Sequence, residues 1–277
     1  MIDIVTVVFR KEIEILRIQA QSIDLYCQPS MVRNIRVIVN DSVEIAEQID
    51  PAWWGKFRDC VHIIPRDQYT TQWVDDGWVS QQALKIVGSA ESCSGWAMVM
   101  DAKTVLTRPV DNTLWDKQGR LRSGSFEIYS VFYPARDIVN QLFDIELTKQ
   151  LGPGGVPFFF KTDIVRSMIA EVQYRTGESF IPWFQAQGRL TEFVLYSGYV
   201  AACKSQVYNQ QDNAIMPVNI CHSETGIFDI KLKQMINNNP LTVGIHRRAW
   251  DTITSEQQQQ YRDFLVGRGL TWATDLA

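Results

Sequence analysis

The first hundred residues alternate between short apolar runs and longer segments in which apolar residues recur at helical spacing. The apolar runs, rich in β-branched residues, predict strands at 2–9, 35–39, 61–64 and 96–100. The helical spacing predicts helices over 11–25, 43–57 and 78–89, and Pro51 must kink the second helix or split it in two. Because strands and helices alternate at this spacing, the strands should pair in parallel. The pattern therefore predicts an α/β fold with a Rossmann-like, mostly parallel sheet flanked by helices.

Length and composition restrict the class of protein further. With 277 residues, the chain fits a single domain, 1–277, with a small C-terminal extension. A net charge of −4 argues against a nucleic-acid partner, and no apolar run approaches the roughly 20 residues that a membrane span needs. The five cysteines are widely spread without a CxxC pair, and the N-terminus lacks the features of a signal peptide. These observations predict a cytoplasmic protein with reduced cysteines.

Polar residues follow the predicted strands at the places where each strand ends. In open parallel sheets, ligands bind beyond these carboxyl ends. The segments there are 9–11, 40–41, 65–67 and 101–104, and together they mix carboxylates with cations, as a site for a phosphorylated, hydroxyl-rich ligand would. Neither a glycine-rich dinucleotide turn nor a P-loop is present, which disfavours redox enzymes and nucleotide hydrolases.

Four further segments carry a resemblance to a known family. They lie at 77–86 (Trp78 with Gln81, Gln82 and Lys85), 100–106 (Met-Asp-Ala-Lys-Thr-Val-Leu), 155–161 and 191–196. In this order and spacing the chain resembles glycosyltransferases of the GT-A fold, in particular a little-characterised bacterial and phage group with Asp-Ala-Asp-Thr after the fourth strand. The resemblance covers about residues 1–205. It implies a nucleotide-sugar half (1–110), an acceptor half (111–205) and a C-terminal extension (206–277) that completes the site.

The resemblance also implies roles on the donor side. Asp101 would face the ribose and the metal or donor sugar, while Gln81, Gln82 and Lys85 would contact donor hydroxyls and phosphates. Without the neighbouring motif, residues 81–85 would be interpreted as an amphipathic helix with a solvated polar face. The complete set assigned to donor binding is Thr6, Phe9, Arg10, Asp41, Gln81, Gln82, Lys85, Ala102 and Lys103, beside Asp101.

Lys103 departs from the family pattern. The group has a second aspartate there, and the two carboxylates usually hold Mn²⁺ or Mg²⁺, which prefer oxygen ligands. An ammonium group cannot bind a cation. Two interpretations stay open: the site works without metal and Lys103 pairs with a phosphate, or catalysis is weak or lost. If a metal is bound, Asp101 and His246 are its predicted ligands, because a C-terminal histidine often completes the metal shell in this family.

Glu192 is the predicted catalytic base, beside Asp101 as the second catalytic residue. Thr191 can cap a helix, which places Glu192 in the first turn. In inverting GT-A enzymes, a carboxylate at a comparable helix start takes the proton of the acceptor hydroxyl. The alternative is that Glu192 only complements the helix dipole.

The acceptor side is predicted from a glycine-rich turn that leads into an aromatic run. Gly154 and Gly155 are expected to line the site, with Phe158 as part of its wall, although the aromatic run also fits a buried strand. His62 lies within an apolar strand and is expected in the core.

The function predicted from these observations is transfer of a sugar from a UDP- or GDP-sugar to a glycan or another hydroxyl-bearing acceptor. Two alternatives remain. One is a catalytically weakened protein of the same fold that binds nucleotide sugar. The other is a nucleotidyltransferase, although the glycine-rich basic signature usual after the first strand of those enzymes is absent.

Overall fold

A computed structural model describes residues 1–276. Its strands are β1 (Ile2–Val8), β2 (Val32–Val39), β3 (Val61–Pro65), β4 (Trp96–Asp101), β5 (Thr104–Leu106), β6 (Leu121–Arg122), β7 (Ser125–Glu127), β8 (Lys149–Leu151), β9 (Phe158–Lys161), β10 (Tyr208–Asn209), β11 (Val218–Ile220) and β12 (Thr242–Ile245). Its helices are α1 (Ile13–Tyr26), α2 (Val43–Ala46), α3 (Gly77–Ala90), α4 (Tyr133–Phe143), α5 (Thr162–Thr176), α6 (Phe180–Ala186), α7 (Glu192–Ala202), α8 (Phe228–Asn237), α9 (Arg247–Trp250) and α10 (Ser255–Gly267). Within the described chain, no helix is long and apolar enough to cross a membrane.

The central sheet has five strands in the order β3-β2-β1-β4-β9. The first four are parallel to one another, and β9 runs antiparallel to β4. All seven residues of β1 are buried because this strand has a neighbour on each side and helices on the faces of the sheet. The α/β fold with a mostly parallel sheet is therefore confirmed, and the antiparallel strand is an addition to it.

The helix expected over 43–57 is divided, as Pro51 requires: α2 ends at Ala46, and a 3-10 helix begins at Pro51 and is interrupted at Gly55, where φ is 50°.

The expectation that His62 lies in the core is wrong. It lies on β3, at the edge of the sheet, where it is exposed, and its Nε2 lies 3.2 Å from Oδ1 of Asn34.

The residues after 205 form a second small sheet with the middle of the chain. In it, β12 pairs in parallel with β11 and antiparallel with β5, which follows β4 directly. The core below this sheet includes Ile18 of α1 and Val105 of β5 together with residues of β11, β12, α8 and α10. This packing places the end of β12, with His246 after it, beside the end of β4.

Candidate functional site

The turn between β4 and β5 is fixed by one glutamine of α1. Nε2 of Gln19 donates to the carbonyl oxygens of Asp101 (2.6 Å) and Thr104 (2.8 Å). Its Oε1 accepts from Oγ1 of Thr6 on β1, at 2.8 Å. Thr6 is buried, so it supports the turn from behind and faces neither of the pockets described below.

Asp101 lies between two ammonium groups. Its Oδ1 is 2.7 Å from Nζ of Lys85, and its Oδ2 is 2.6 Å from Nζ of Lys103. Burial opposes ionisation of this carboxyl, but the two lysines outweigh burial and hold the pKa of Asp101 well below its usual range. Asp101 is therefore ionised at neutral pH, and both of its oxygens are engaged.

Lys85 joins Asp101 to Glu192. Its side chain is 4% exposed, and Nζ lies 3.0 Å from Oε1 of Glu192, which is 1% exposed. With its amide nitrogen turned toward Glu192, Gln82 donates to the same carboxylate, and its amide oxygen accepts from Nε1 of Trp78 at 3.2 Å. The side chains form a continuous polar chain from Trp78 to Lys103.

Burial and the neighbouring charges act in opposite directions on the pKa of Glu192 and on the pKa of Lys85. The pKa of Glu192 is raised because burial disfavours the carboxylate, and Lys85 offsets only part of that effect. Burial alone would lower the pKa of Lys85, but the facing carboxylates of Asp101 and Glu192 raise it. Lys85 thus keeps its proton, while Glu192 holds its proton more tightly than an exposed glutamate.

Glu192 is positioned by the start of α7. Oγ1 of Thr191 accepts from the backbone N of Val194, which is the predicted cap. The helix therefore begins where the sequence indicates, and Glu192 occupies its first turn.

A large cavity of about 780 Å³ lies at the carboxyl ends of β1 and β2 and is called the basic pocket. Arg10 and Asp41, which follow these strands, both line the cavity and form an ion pair of 3.3 Å with each other. Five of its side chains are basic and two are acidic, so it attracts anions. The residues that line it are Phe9, Arg10, Lys11, Glu12, Asp41, Trp78, Gln81, Lys103, His246, Arg247 and Arg248.

A smaller cavity of about 150 Å³, called the carboxylate pocket, lies on the other side of Trp78. Trp78 lines both cavities, and Asp101 faces the smaller one while its ion-pair partner Lys103 faces the larger one. The residues that line the carboxylate pocket are Trp78, Gln82, Lys85, Asp101, Phe132, Gln150, Gly154, Gly155, Val156, Thr191, Glu192 and Phe193.

Most of the residues predicted for the site lie in these two pockets, and three do not. Besides Thr6, the buried Ala102 and Phe158 line neither pocket. The ring of Phe158 stacks on Phe193, with ring centres 4.6 Å apart, and packs against Phe160 at 4.8 Å. Phe158 thus lies in the core behind the wall that Phe193 forms.

The predicted metal ligands do not fit a divalent cation. Between residues 1 and 276, no group of three His, Cys, Asp or Glu side chains is arranged to hold one. Both oxygens of Asp101 contact ammonium groups, and Nδ1 of His246 accepts from the backbone N of Arg248 at 3.2 Å. Burial, then Lys103, lower the pKa of His246, so this ring is neutral at neutral pH. Mn²⁺ and Mg²⁺ need several free oxygen ligands, which this arrangement does not offer.

Several lining residues were not predicted from the sequence. Glu12 lies between the basic pocket and an adjoining cavity of about 220 Å³, and burial raises its pKa. Phe132 and Gln150 line the carboxylate pocket. Nothing in the sequence singled out Phe132 and Gln150, because each lies in a segment without a motif, whereas Glu12 directly follows the strand-end segment 9–11. Arg247 and Arg248 had a signal, since two arginines after a strand suit a phosphate.

Comparisons with known proteins give a likeness in fold only. No family model and no curated protein sequence matches the chain. Among solved structures, the bifunctional glycosyltransferase WbbM in its apo form matches with a TM-score of 0.53 and 9% identity, over 99% of this chain and 50% of that one. The galactosyltransferase LgtC, solved with donor and acceptor sugar analogues, matches with a TM-score of 0.47 and 10% identity, over 96% and 95% of the two chains. The glycosyltransferase GlyE of Streptococcus pneumoniae TIGR4 matches with a TM-score of 0.47 and 10% identity, over 98% and 61%. The match to WbbM shows that the chain shares its fold with about half of that bifunctional glycosyltransferase.

Proposed function

We propose that this protein is a glycosyltransferase that moves a sugar from a UDP- or GDP-sugar to a hydroxyl group of an acceptor. One observation carries the proposal: a basic pocket and a carboxylate pocket adjoin at Trp78 and at the ion pair between Asp101 and Lys103. Sugar transfer from a nucleotide sugar needs both kinds of pocket. The leaving diphosphate is anionic and needs cations, and the acceptor hydroxyl must lose a proton to a base. The fold shared with WbbM agrees with this function.

The basic pocket suits the nucleotide part of the donor. Its volume of about 780 Å³ is in the range of small-molecule sites, roughly 300–1,000 Å³. Arg10, Lys103 and Arg248 would neutralise the diphosphate, and Arg guanidinium groups match phosphate oxygens in geometry. The exposed ring of Trp78, at the boundary with the second pocket, offers a face on which the donor sugar can stack.

The carboxylate pocket suits the acceptor and the proton transfer. Glu192, with its raised pKa, would accept the proton of the acceptor hydroxyl while the acceptor oxygen bonds to the anomeric carbon and the bond from that carbon to the diphosphate breaks. Lys85 holds Glu192 and Asp101 in place. Gly154 and Gly155 would line the acceptor side. This assignment corresponds to inversion at the anomeric carbon.

A second candidate is a protein that binds nucleotide sugar without transferring it. It is favoured by the state of Glu192, which is 1% exposed and contacts Lys85 and Gln82. In that arrangement, a base must give up one of its protein contacts before it meets an acceptor hydroxyl.

Thermal unfolding with a panel of UDP- and GDP-sugars tests the donor site. A ligand at one hundred times its dissociation constant should stabilise the protein by about 2.7 kcal/mol. The stabilising donor is then incubated with the protein and a mixture of glycan acceptors, and release of the nucleoside diphosphate is measured. Stabilisation with release supports the transferase, and stabilisation without release supports the second candidate. No stabilisation by any member at millimolar concentration would contradict both.

A further inference from the structure

We infer that the diphosphate of the donor is bound without a divalent cation, and that the ammonium group of Lys103 takes the place of that cation. The inference rests on the proposed function and names how its donor site neutralises charge. Its starting observation is that Nζ of Lys103 lies 2.6 Å from Oδ2 of Asp101, on the side of the basic pocket.

Each oxygen of the carboxylate that would hold a metal is already in ion-pair contact with an ammonium group. Asp101 contacts Lys103 through Oδ2 and Lys85 through Oδ1. To coordinate a cation, Asp101 would have to give up one of these contacts, and the displaced ammonium group would repel the incoming ion. The buried Lys85 cannot move away easily, because it also contacts Glu192. The ammonium groups of Lys85 and Lys103 therefore already supply positive charge at the carboxylate where a metal ion would bind.

A single ammonium group supplies half the charge of Mn²⁺ or Mg²⁺, and the basic pocket supplies more. Lys11 and Arg248 line it, and in the described part of the chain no ion pair or hydrogen bond engages their side chains. Within residues 1–276, the side chain of Arg247 has a single ion pair, a long contact of 3.9 Å with Asp251. Lys11 and Arg248 are thus free to face an anionic ligand beside Lys103, and Arg247 would have to give up its long, exposed ion pair to join them. Several fixed cations can match the charge of a diphosphate where a bridging metal is absent.

The position of Lys103 also suits the transfer step. As the bond between the sugar and the diphosphate breaks, negative charge grows on the phosphate oxygens. Lys103 is attached to the same turn as Asp101 and is oriented by it, so little reorganisation is needed when this charge appears. The lysine keeps its proton throughout and forms no covalent bond.

Calorimetric titration of the protein with UDP and with GDP tests the inference, each in EDTA and in Mn²⁺. We expect the better ligand to bind in EDTA with an affinity within about threefold of that in Mn²⁺, which is less than 1 kcal/mol. Affinity in EDTA should also fall steeply as salt rises, because salt screens the fixed charges. Lys103→Gln should weaken binding in EDTA by at least about tenfold, while Lys103→Arg, which keeps the charge, should retain most of it.

Lys117→Gln is the matched control, since Lys117 is exposed in a turn that lines neither pocket. It should bind like the parent. If the parent binds only with Mn²⁺, or if Lys103→Gln binds in EDTA as well as the parent, the inference is overturned while the proposed function stands. If neither nucleotide nor any UDP- or GDP-sugar binds in either buffer, the proposed function fails as well. Circular dichroism on each variant separates loss of binding from loss of folding.

Discussion

Nζ of Lys85 lies 3.0 Å from Oε1 of Glu192, although 107 positions separate the two residues in the sequence. The same nitrogen lies 2.7 Å from Oδ1 of Asp101. One buried ammonium group thus bridges two carboxylates and links α3 to α7 and to the end of β4. Because the charges of the three side chains depend on one another, a substitution of one of them should change the energetic contribution of the other two.

Lys85→Met should destabilise the fold strongly. The substitution leaves Glu192 buried without its cation and removes one of the two partners of Asp101, and loss of one partner from a buried ion pair costs about 3–5 kcal/mol. Urea unfolding followed by circular dichroism measures this loss. Adding Glu192→Gln to the variant should restore part of the stability, because the uncompensated charge is then gone. A double variant that is less stable than Lys85→Met would contradict the role of the ion pair.

Asp101→Asn should impair the transfer reaction while the protein still folds, because Lys85 keeps Glu192 as a partner. The amide keeps the shape of the side chain, while Lys103 loses the carboxylate that orients it. We expect sugar transfer to fall by at least about tenfold, or about 1.4 kcal/mol of transition-state stabilisation. Initial rates of diphosphate release measure the effect. Asp59→Asn, at a side chain that is 87% exposed, serves as the control and should leave the rate unchanged.

Glu192→Gln distinguishes a base from a residue that only complements the helix dipole. Burial raises the pKa of Glu192, and a base is inactive when protonated, so the parent rate should fall as the pH drops through a pKa above the ordinary glutamate value of about 4.3. Profiles of kcat/KM against pH test this. The variant should be slow and should lack this acidic limb, with donor binding nearly unchanged. An unchanged profile and rate would leave Glu192 with the dipole role alone.

Lys103→Asp should give the site a metal requirement. The change restores the Asp-x-Asp pattern of the glycosyltransferase group that the sequence resembles. Two carboxylates beside a diphosphate repel the diphosphate unless a cation lies between them. UDP or GDP binding by the variant should be lost in EDTA and recovered in part with Mn²⁺, as measured by calorimetry. Lys117→Asp makes the same change of charge away from both pockets and should bind as the parent does.

Gly154→Ala and Gly155→Ala should differ in their effect on the acceptor loop. Gly154 has a φ of 81°, and a Cβ there would lie 2.1 Å from the ring of Phe126, whereas a Cβ on Gly155 would meet nothing within 4 Å. Strain of this kind costs about 1–3 kcal/mol. We therefore expect Gly154→Ala to lower the midpoint of thermal unfolding and Gly155→Ala to leave it unchanged. Equal effects of the two substitutions would contradict this account of the loop.

The first part of the fold was predictable because its signals are local. The apolar runs of β1 to β4 and the periodicity of α1 and α3 are each contained within about fifteen residues. The run at 158–160 likewise predicts a buried strand. Its antiparallel direction depends on where the chain returns to the sheet, and periodicity does not encode that direction.

Residues of the candidate site could be predicted from sequence position where they lie at strand ends or a helix start, whereas Gln81, Gln82 and Lys85 inside α3 were assigned only through the family resemblance. Asp101, Arg10 and Glu192 meet the first condition. The contact of Lys85 with both carboxylates depends on packing between α3 and α7, so sequence spacing could not reveal it. The prediction that Phe158 forms the wall of the site failed for a related reason: the aromatic run marks a buried strand, and Phe193, from α7, covers it.

The two hydrogen bonds from Gln19 have a consequence for how this site can vary. They hold the carbonyl groups of Asp101 and Thr104, so the path of the turn is set by α1 and does not depend on the side chain at position 103. Gln19 therefore sets the shape of the turn, and the residue at position 103 sets its charge. A single substitution at position 103 can exchange one kind of counter-charge for another while the backbone stays where it is. A change in how the site neutralises a diphosphate therefore needs the change of only one codon, without any change in the fold.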